Sequence, residues 1–364
     1  MTNAGFYRMI DIVGSCGRQG RIVMGMEKVK KFTGCLVGGA AGDALGYAVE
    51  FDREPAIFKR YGAGGIREYE LSGGRAIISD DTQMTLFTAE GILLAKDPYD
   101  YPDYISSMHQ ACREWLYTQE KNPRIKRKIW LTDIPELQKN RAPGLTCLAA
   151  LRSGVLASIY EPINNSKGCG GVMRVAPIGL YYSPERLDIA TIDMMGAQAA
   201  ALTHGHPLGY LPAAGLVHIV NRCVYAPEMN LRKIVEEMIE VVSGLTEIRK
   251  DAPGHCETFR KLMTKAADLS ATDLPALEAI HMLGEGWVGE EALAIAVYCA
   301  LKYEKDFDAA LIASVNHKGD SDSTGAVTGN ILGAYLGADA IPDKYKEHLE
   351  LLEVIEKVAR RLAE

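Results

Sequence analysis

No C-x-x-C pair occurs anywhere in the chain. Its eight cysteines, Cys16, Cys35, Cys112, Cys147, Cys169, Cys223, Cys256 and Cys299, are scattered. That pattern excludes a cysteine zinc site and a disulfide framework, and it fits reduced thiols in the cytosol. Long apolar runs are also missing. The longest, around residues 292–301, is about half of the roughly 20 residues that a membrane-spanning helix needs, and it reads as a core helix. Arg8 and Asp11 break up the N-terminal segment, so the pattern of an export signal is absent. Nor is there an excess of basic charge: 40 Lys and Arg against 47 Asp and Glu leave −7, the wrong sign for a phosphate-backbone binder. The expectation is a cytoplasmic protein with neither nucleic acid nor membrane as partner.

Alternating Val/Ile/Thr strands, low-complexity linkers and a recurring 20- to 50-residue period are lacking too. What is present is a globular balance, 48% apolar and 24% charged residues, carried on Ala/Leu/Met/Glu-rich segments with short Gly/Pro/Asn joints. These patterns predict helices over 29–47, 82–94, 104–117, 146–152, 189–202, 208–224, 231–242, 256–269, 289–301, 307–315, 324–336 and 345–362. The class is all-α. Residues 26–364 read as one domain. Residues 1–25 read as an extension, disordered or loosely packed, in front of the amphipathic start at Met26, which makes an over-long start assignment plausible. Residues 13–20 faintly resemble a dinucleotide-binding turn, but the βαβ unit and acidic residue that should follow do not. Residues 119–141 are the least compact, and Lys121, Arg124, Lys126, Arg127 and Lys128 make a basic run there. It reads as a solvated loop or as a contact for a pyrophosphate or protein substrate.

Glycine recurs every fourth residue at Gly34, Gly38 and Gly42, and again at Gly325, Gly329, Gly333 and Gly337. Each set lies along one helix face. A helical glycine costs about 0.5–1 kcal/mol against alanine, so these stripes predict closely crossing helices beside the functional site.

Ser79-Asp80-Asp81-Thr82-Gln83 places oxygen donors directly before a helical run. Alone, this is also what an N-cap looks like. A second cluster, Gly319-Asp320-Ser321-Asp322-Ser323-Thr324, stands before another helix some 240 residues later. Were Asp80, Asp81, Asp320 and Asp322 to converge within about 5 Å, each ionised pair would repel by roughly 3 kcal/mol at an effective dielectric of 20. Cations or retained protons must then relieve the crowding. Hard oxygen donors favour Mg²⁺, Mn²⁺ or Ca²⁺ over zinc, and two metals can share one activated water.

Rival motifs fail on particular residues. An EF-hand loop starting at Asp320 would need glutamate where Ile331 stands, and a D-D-x-x-D motif would need aspartate at Met84. His204-Gly205-His206 has no third zinc ligand close in sequence. Residues 166–174, Ser-Lys-Gly-Cys-Gly-Gly-Val-Met-Arg, either satisfy a turn or present bare N–H groups to an anion, and they match no P-loop.

Taken in order, Gly42 to Phe51, Ser79-Asp80-Asp81-Thr82, Gly168 to Gly179, Leu202-Thr203-His204, Leu283 to Trp287 and Gly319 to Gly333 resemble the ADP-ribosylglycohydrolase family, which includes the enzyme that reactivates ADP-ribosylated dinitrogen reductase. The resemblance implies a single-domain orthogonal helical bundle with a binuclear Mg²⁺ or Mn²⁺ centre that hydrolyses the bond to C1 of the distal ribose. It assigns the metal ligands to Ser79, Asp80, Asp81, Asp320, Asp322 and Ser323. The substrate contacts fall on Gly168, Gly170, Gly171, Met173 and His204, and the catalytic carboxylates on Asp80, Asp81 and Glu50, with Asp81 or Glu50 accepting a proton from water. The expected partner is an ADP-ribosylated protein or a small ADP-ribosyl conjugate, arginine-linked ahead of serine-linked or O-acetyl-ADP-ribose, and the expected state is a monomer. One departure concerns the substrate: Arg141-Ala142-Pro143-Gly144-Leu145-Thr146 lacks the acid expected of the nitrogenase-reactivating members. A reading of another class is a silent ADP-ribose-binding or structural protein on the same scaffold, against which the intact carboxylate set argues.

Overall fold

Helix-forming residues and few β-branched runs give a helical molecule. The computed structural model describes the backbone of residues 4–364 and the side chains of residues 25–364. In chain order the helices are α1 (Ala4–Tyr47), α2 (Glu54–Tyr61), α3 (Asp80–Leu94), α4 (Tyr101–Glu120), α5 (Leu145–Ser153), α6 (Ala176–Tyr181), α7 (Ile189–Ala201), α8 (Pro207–Tyr225), α9 (Leu231–Ser243), α10 (Thr246–Asp251), α11 (Pro253–Ser270), α12 (Ala276–Leu283), α13 (Gly289–Lys302), α14 (Phe307–Val315), α15 (Ser321–Leu336) and α16 (Leu352–Ala363). The short α2, α6, α10 and α12 were not expected, because six to eight residues are too few to show a helical period. The expected loose packing of residues 1–25 concerns side chains that up to residue 24 lie outside the described residues, while the backbone of 13–20 belongs to α1 instead of a turn. Among the described residues, no helix is long and apolar enough to cross a membrane.

One expected helix is much shorter. The prediction of 345–362 fails over its first seven residues, and α16 begins only at Leu352. Two short strands, β1 (Leu71–Ser72) and β2 (Arg75–Ala76), turn at Gly73 and Gly74, both with positive φ. Residues 346–348 form a turn, and Leu349 makes an isolated parallel bridge to Ala76 of β2: Ala76 N–H donates to His348 O at 2.8 Å, and Glu350 N–H donates to Ala76 O at 3.0 Å. Tertiary pairing outweighs local helix propensity here, and Leu351 takes a left-handed φ of 63° to turn into α16. The pairing has a use, since β2 leads straight into the Ser79-Asp80-Asp81 cluster.

The two glycine stripes do meet. A Cβ on Gly34, Gly38 or Gly42 would land on the carbonyl oxygen of Gly333, Gly329 or Gly325, and the converse holds for each partner. Rising numbers on α1 pair with falling numbers on α15, so the helices are antiparallel with their backbones in contact. Gly46 continues the stripe, where a Cβ would strike Ser321 O. Gly337 does not belong to it. It ends α15 with φ 83°, the left-handed conformation that glycine accepts at a helix terminus. The consequence is positional: the C-terminal end of α1 is locked against the N-terminal end of α15, where Asp320 and Asp322 stand. Gly329→Leu is expected to lower stability by more than the roughly 1–3 kcal/mol of ordinary overpacking, because a carbonyl of α1 cannot rotate aside as a side chain can. The urea midpoint measures this, and an unchanged midpoint would mean that nothing packs there.

Candidate metal centre and substrate cavity

Both oxygen clusters are helix N-termini. Ser79 is the N-cap of α3, its Oγ accepting the Asp81 N–H at 3.1 Å. Asp320 is the N-cap of α15, its Oδ1 accepting the Ser323 N–H at 3.3 Å. Asp80, Asp81 and Asp322 lie in first turns, at the positive end of the helix dipole. Capping and ligation are therefore compatible readings: a serine or carboxylate oxygen that accepts one N–H keeps a further lone pair.

The two clusters converge. Ser323 Oγ donates to Asp81 Oδ2 at 2.9 Å across 242 residues of sequence. Carboxylate oxygens of Glu50, Asp320 and Asp322 all lie within 4.8 Å of one another. Asp80 is held from a third direction, its N–H donating to Arg141 O at 3.1 Å and its Oδ2 accepting the Gly144 N–H at 3.2 Å. Glu50 arrives in the turn just after α1. Its Oε2 is buried without a hydrogen-bond partner.

These groups are crowded and dry. Burial, followed by the neighbouring Asp320, Asp80 and Asp43, pushes Glu50 up to about 9. Burial, with Asp43 and Asp320 beside it, pushes Asp80 up to about 8. Asp81 and Asp322 are also held well above the ordinary carboxylate range by burial and by their acidic neighbours. Such a cluster must keep protons or take up cations.

Asp43 was not singled out in the sequence, although it sits in the Gly42 to Phe51 motif. It is fully buried on α1, and it accepts the Ser79 N–H at 2.9 Å, the Thr82 N–H at 3.1 Å and the Thr82 hydroxyl. Burial raises it to about 6, against the pull of those hydrogen bonds. It holds the start of α3 onto α1. An aspartate close to the C-terminal end of a helix, where the dipole disfavours negative charge, was the available signal.

A cavity of about 450 Å³ opens onto the carboxylates. Of the expected site residues, Glu50, Asp80, Asp81, Gly168, Gly170, Met173, His204, Asp320, Asp322 and Ser323 line it. Ser79 and Gly171 stand behind the wall. The glycines are required by packing: a Cβ on Gly170 would lie 2.9 Å from Cys147 Sγ and from His204 Cε1, and one on Gly171 would lie 2.7 Å from Gly209 O. His204 is pushed down to about 3 by burial, helped by the nearby Arg174, and is therefore neutral. Buried Arg174 organises this wall by donating to Gly170 O at 3.0 Å and to Thr203 Oγ1 at 2.8 Å, while Thr203 Oγ1 shares a hydrogen bond with His204 Nδ1 at 2.9 Å. His206 turns away to His255, with 3.2 Å between their Nε2 atoms.

Sequence reasoning missed several walls of the cavity. Residues 142–147 close one side, Cys169 reaches the carboxylates, and the exposed Phe51 and Trp287 stack at the rim with ring centroids 6.5 Å apart. The basic run is elsewhere. Arg127 pairs with Asp133 at 3.0 Å, Lys121 donates to Gln138, and none of the five basic side chains lines the cavity.

Comparison with known proteins agrees with this geometry. The profile of a family described as ADP-ribosylglycohydrolase matches residues 24–364. ADP-ribosylhydrolase ARH3 of Mus musculus is 25% identical over 367 residues, 92% of either chain. ADP-ribosyl-dinitrogen reductase glycohydrolase of Rhodospirillum rubrum is 25% identical over 338 residues, covering 90% of this chain and 92% of its own. A solved structure described as an ADP-ribosylglycohydrolase-related protein complex shares the fold, with a TM-score of 0.58 at 23% identity over 93% of this chain and 98% of its own. With a family match over nearly its whole length, the chain belongs to the ADP-ribosylglycohydrolase family of glycosidic-bond hydrolases.

Proposed function

We propose that the chain hydrolyses the bond between C1 of the distal ribose of ADP-ribose and a modified arginine side chain on protein, with two divalent cations, Mg²⁺ or Mn²⁺, held by Ser79, Asp80, Asp81, Asp320, Asp322 and Ser323. The observation that carries this reading is the convergence of the two clusters, seen in the Asp81–Ser323 hydrogen bond and the Glu50–Asp320–Asp322 group. The residues fit such ions: the assigned ligands are hard oxygens, their crowding calls for positive charge, and Glu50 Oε2 is buried with an unspent acceptor.

When bound, the cations supply Lewis acidity toward the ribose oxygens and an attacking water. Glu50 is the better placed proton acceptor of the two candidates. Asp81 Oδ2 is engaged by Ser323, whereas Glu50 Oε2 has no competing donor. Free Glu50 holds its own proton near neutral pH, so this role needs bound cations to ionise it; in that state Glu50 would take a proton from the water as its oxygen bonds to C1, the C1–N bond breaks, and the proton passes to the departing guanidine. Gly168, Gly170, Met173 and neutral His204 shape the wall that receives the ADP-ribose, and Trp287 offers an apolar face at the rim.

Charge favours arginine over the other linkages. The charged side chains lining the cavity are Glu50, Asp80, Asp81, Asp320 and Asp322, all acidic. Five carboxylates against four positive charges from two divalent ions leave one net negative charge, which suits a cationic guanidinium better than a neutral serine or acetyl ester. The test is release of free ADP-ribose from arginine-, serine- and acetyl-linked substrates, with and without Mg²⁺ or Mn²⁺. Cation-dependent release from the arginine conjugate at 10-fold or greater kcat/KM, worth about 1.4 kcal/mol, is expected. Tight binding of ADP-ribose with no turnover of any substrate would sink the hydrolase reading in favour of a silent module.

A further inference from the structure

Asp80 is held by a loop as well as by its own helix. Its N–H donates to Arg141 O at 3.1 Å, and its Oδ2 accepts the Gly144 N–H at 3.2 Å. Between those two contacts the backbone is strained: Ala142 has a φ of 53°, in the left-handed region that a residue with a Cβ disfavours. Such a conformation persists only where its surroundings over-determine it. Ala142, Pro143 and Gly144 also line the cavity, so one strained turn both shapes the wall and holds the carboxylate. The Arg141 side chain fixes that turn from behind, its Nη2 donating to Glu350 Oε1 at 3.2 Å across 209 residues of sequence. These two side chains are 17% and 6% exposed. Glu350 has a second hold, because its Oε2 accepts the N–H of Ile78, the residue before Ser79, at 3.4 Å. The bridge between Leu349 and Ala76 delivers Glu350 to this place. One buried carboxylate thus ties together the two backbone segments that frame Asp80.

We propose that Arg141 and Glu350 are positioning residues for Asp80: their ion pair sets the Arg141 carbonyl and the Gly144 N–H where these fix the Asp80 backbone and carboxylate, and it thereby sets the cation affinity of the centre. The inference rests on the reading above that these carboxylates take cations. Neither side chain lines the cavity, so both act through the turn and not on substrate. With the Arg141 side chain released, Ala142 relaxes toward the backbone regions that L-residues favour, and the Gly144 N–H two residues later moves with it. Asp80 Oδ2 then loses the donor that orients it. Hydrogen bonds that orient a ligating carboxylate matter for binding, and their loss typically weakens metal affinity by about 10- to 100-fold. Burial is what gives this pair such influence. An exposed pair exchanges its partner for water at little cost, whereas Glu350 without Arg141 is a buried charge without compensation.

Two measurements on the full-length protein test this: Mn²⁺ binding by electron paramagnetic resonance, and hydrogen exchange of the cation-free protein read by mass spectrometry. Arg141→Met removes the positive charge and keeps the stem; Glu350→Gln keeps the shape but has one acceptor oxygen for two donors, and it carries the test should Arg141→Met fold poorly. Each is expected to bind Mn²⁺ about tenfold or more weakly than wild type, and the double variant no more weakly than Arg141→Met alone. Exchange in both is expected to quicken in the peptides covering residues 79–83 and 142–147 and to stay unchanged along the contact of α1 with α15. Glu237→Gln, which cuts an ion pair to Arg222 outside the cavity lining, is the control, expected to keep Mn²⁺ affinity and local protection even where its Tm falls. Wild-type Mn²⁺ affinity in Glu350→Gln, or exchange that quickens over the whole chain instead of in those peptides, overturns the proposal and spares the function. Wild type that binds no Mn²⁺ overturns the function and the proposal together.

Discussion

Asp80→Ala and Asp322→Ala are each expected to lower kcat/KM for release of ADP-ribose by about a thousandfold or more, the several kcal/mol that a catalytic cation contributes to a transition state. What sets the prediction apart from general damage is its companion result on stability. Both carboxylates are buried, and burial and acidic neighbours raise both well above the ordinary range. In cation-free protein at about pH 8, their removal takes away a repelled, desolvated group. The main loss is one hydrogen bond each, from Gly144 N–H to Asp80 and from Ser323 N–H to Asp322, worth about 1 kcal/mol. The cation-free variants should therefore melt no lower than wild type while the cation-loaded variants lose the stabilisation that wild type gains. Near-normal turnover in either variant would remove that residue from the centre.

The second large effect joins pH to cation binding. Asp43, Asp80 and Glu50 stand at about 6, 8 and 9 in the folded protein, against about 4 for free carboxylates. Each is raised on folding, so its stabilising contribution is complete below about pH 4 and is lost as pH rises through about 6 to 9. In chelator, Tm is expected to fall from about pH 5 to about pH 9. Saturating Mg²⁺ or Mn²⁺ should flatten that fall, adding about 2.7 kcal/mol for each site at 100 times its Kd. A chelated protein whose Tm rises with pH over this window would mean that the carboxylates are ionised and already compensated, contrary to the crowding described.

The helices with strong periodicity were legible because propensity, apolar spacing and Gly/Pro joints all act within a few residues. The segment 345–351 was not: its turns go with the bridge between Leu349 and Ala76, which no local pattern encodes. Ser79 and Asp320 illustrate a different limit. Cap and ligand demand the same chemistry, a short side chain with a free oxygen at a helix start, so sequence cannot choose between the roles when one residue is able to serve both. Cys169 was passed over because its neighbours Gly168, Gly170 and Gly171 drew attention to backbone conformation, while its thiol finds Asp320 across 151 residues. Likewise family likeness marks Glu50 as a catalytic carboxylate, but only its position shows an oxygen with no donor of its own.

By itself the sequence determined the class of donors, their placement at two helix starts and the glycine spacing that lets two helices touch, since composition and short-range geometry settle each of these. The tertiary structure alone decided that the clusters meet, that Asp43 anchors one of them, and that a thiol and an unspent carboxylate oxygen share their cavity. The physical reason is register: the glycines of α1 and α15 let the two backbones touch, and the alignment they adopt brings Asp320 and Asp322 to Glu50.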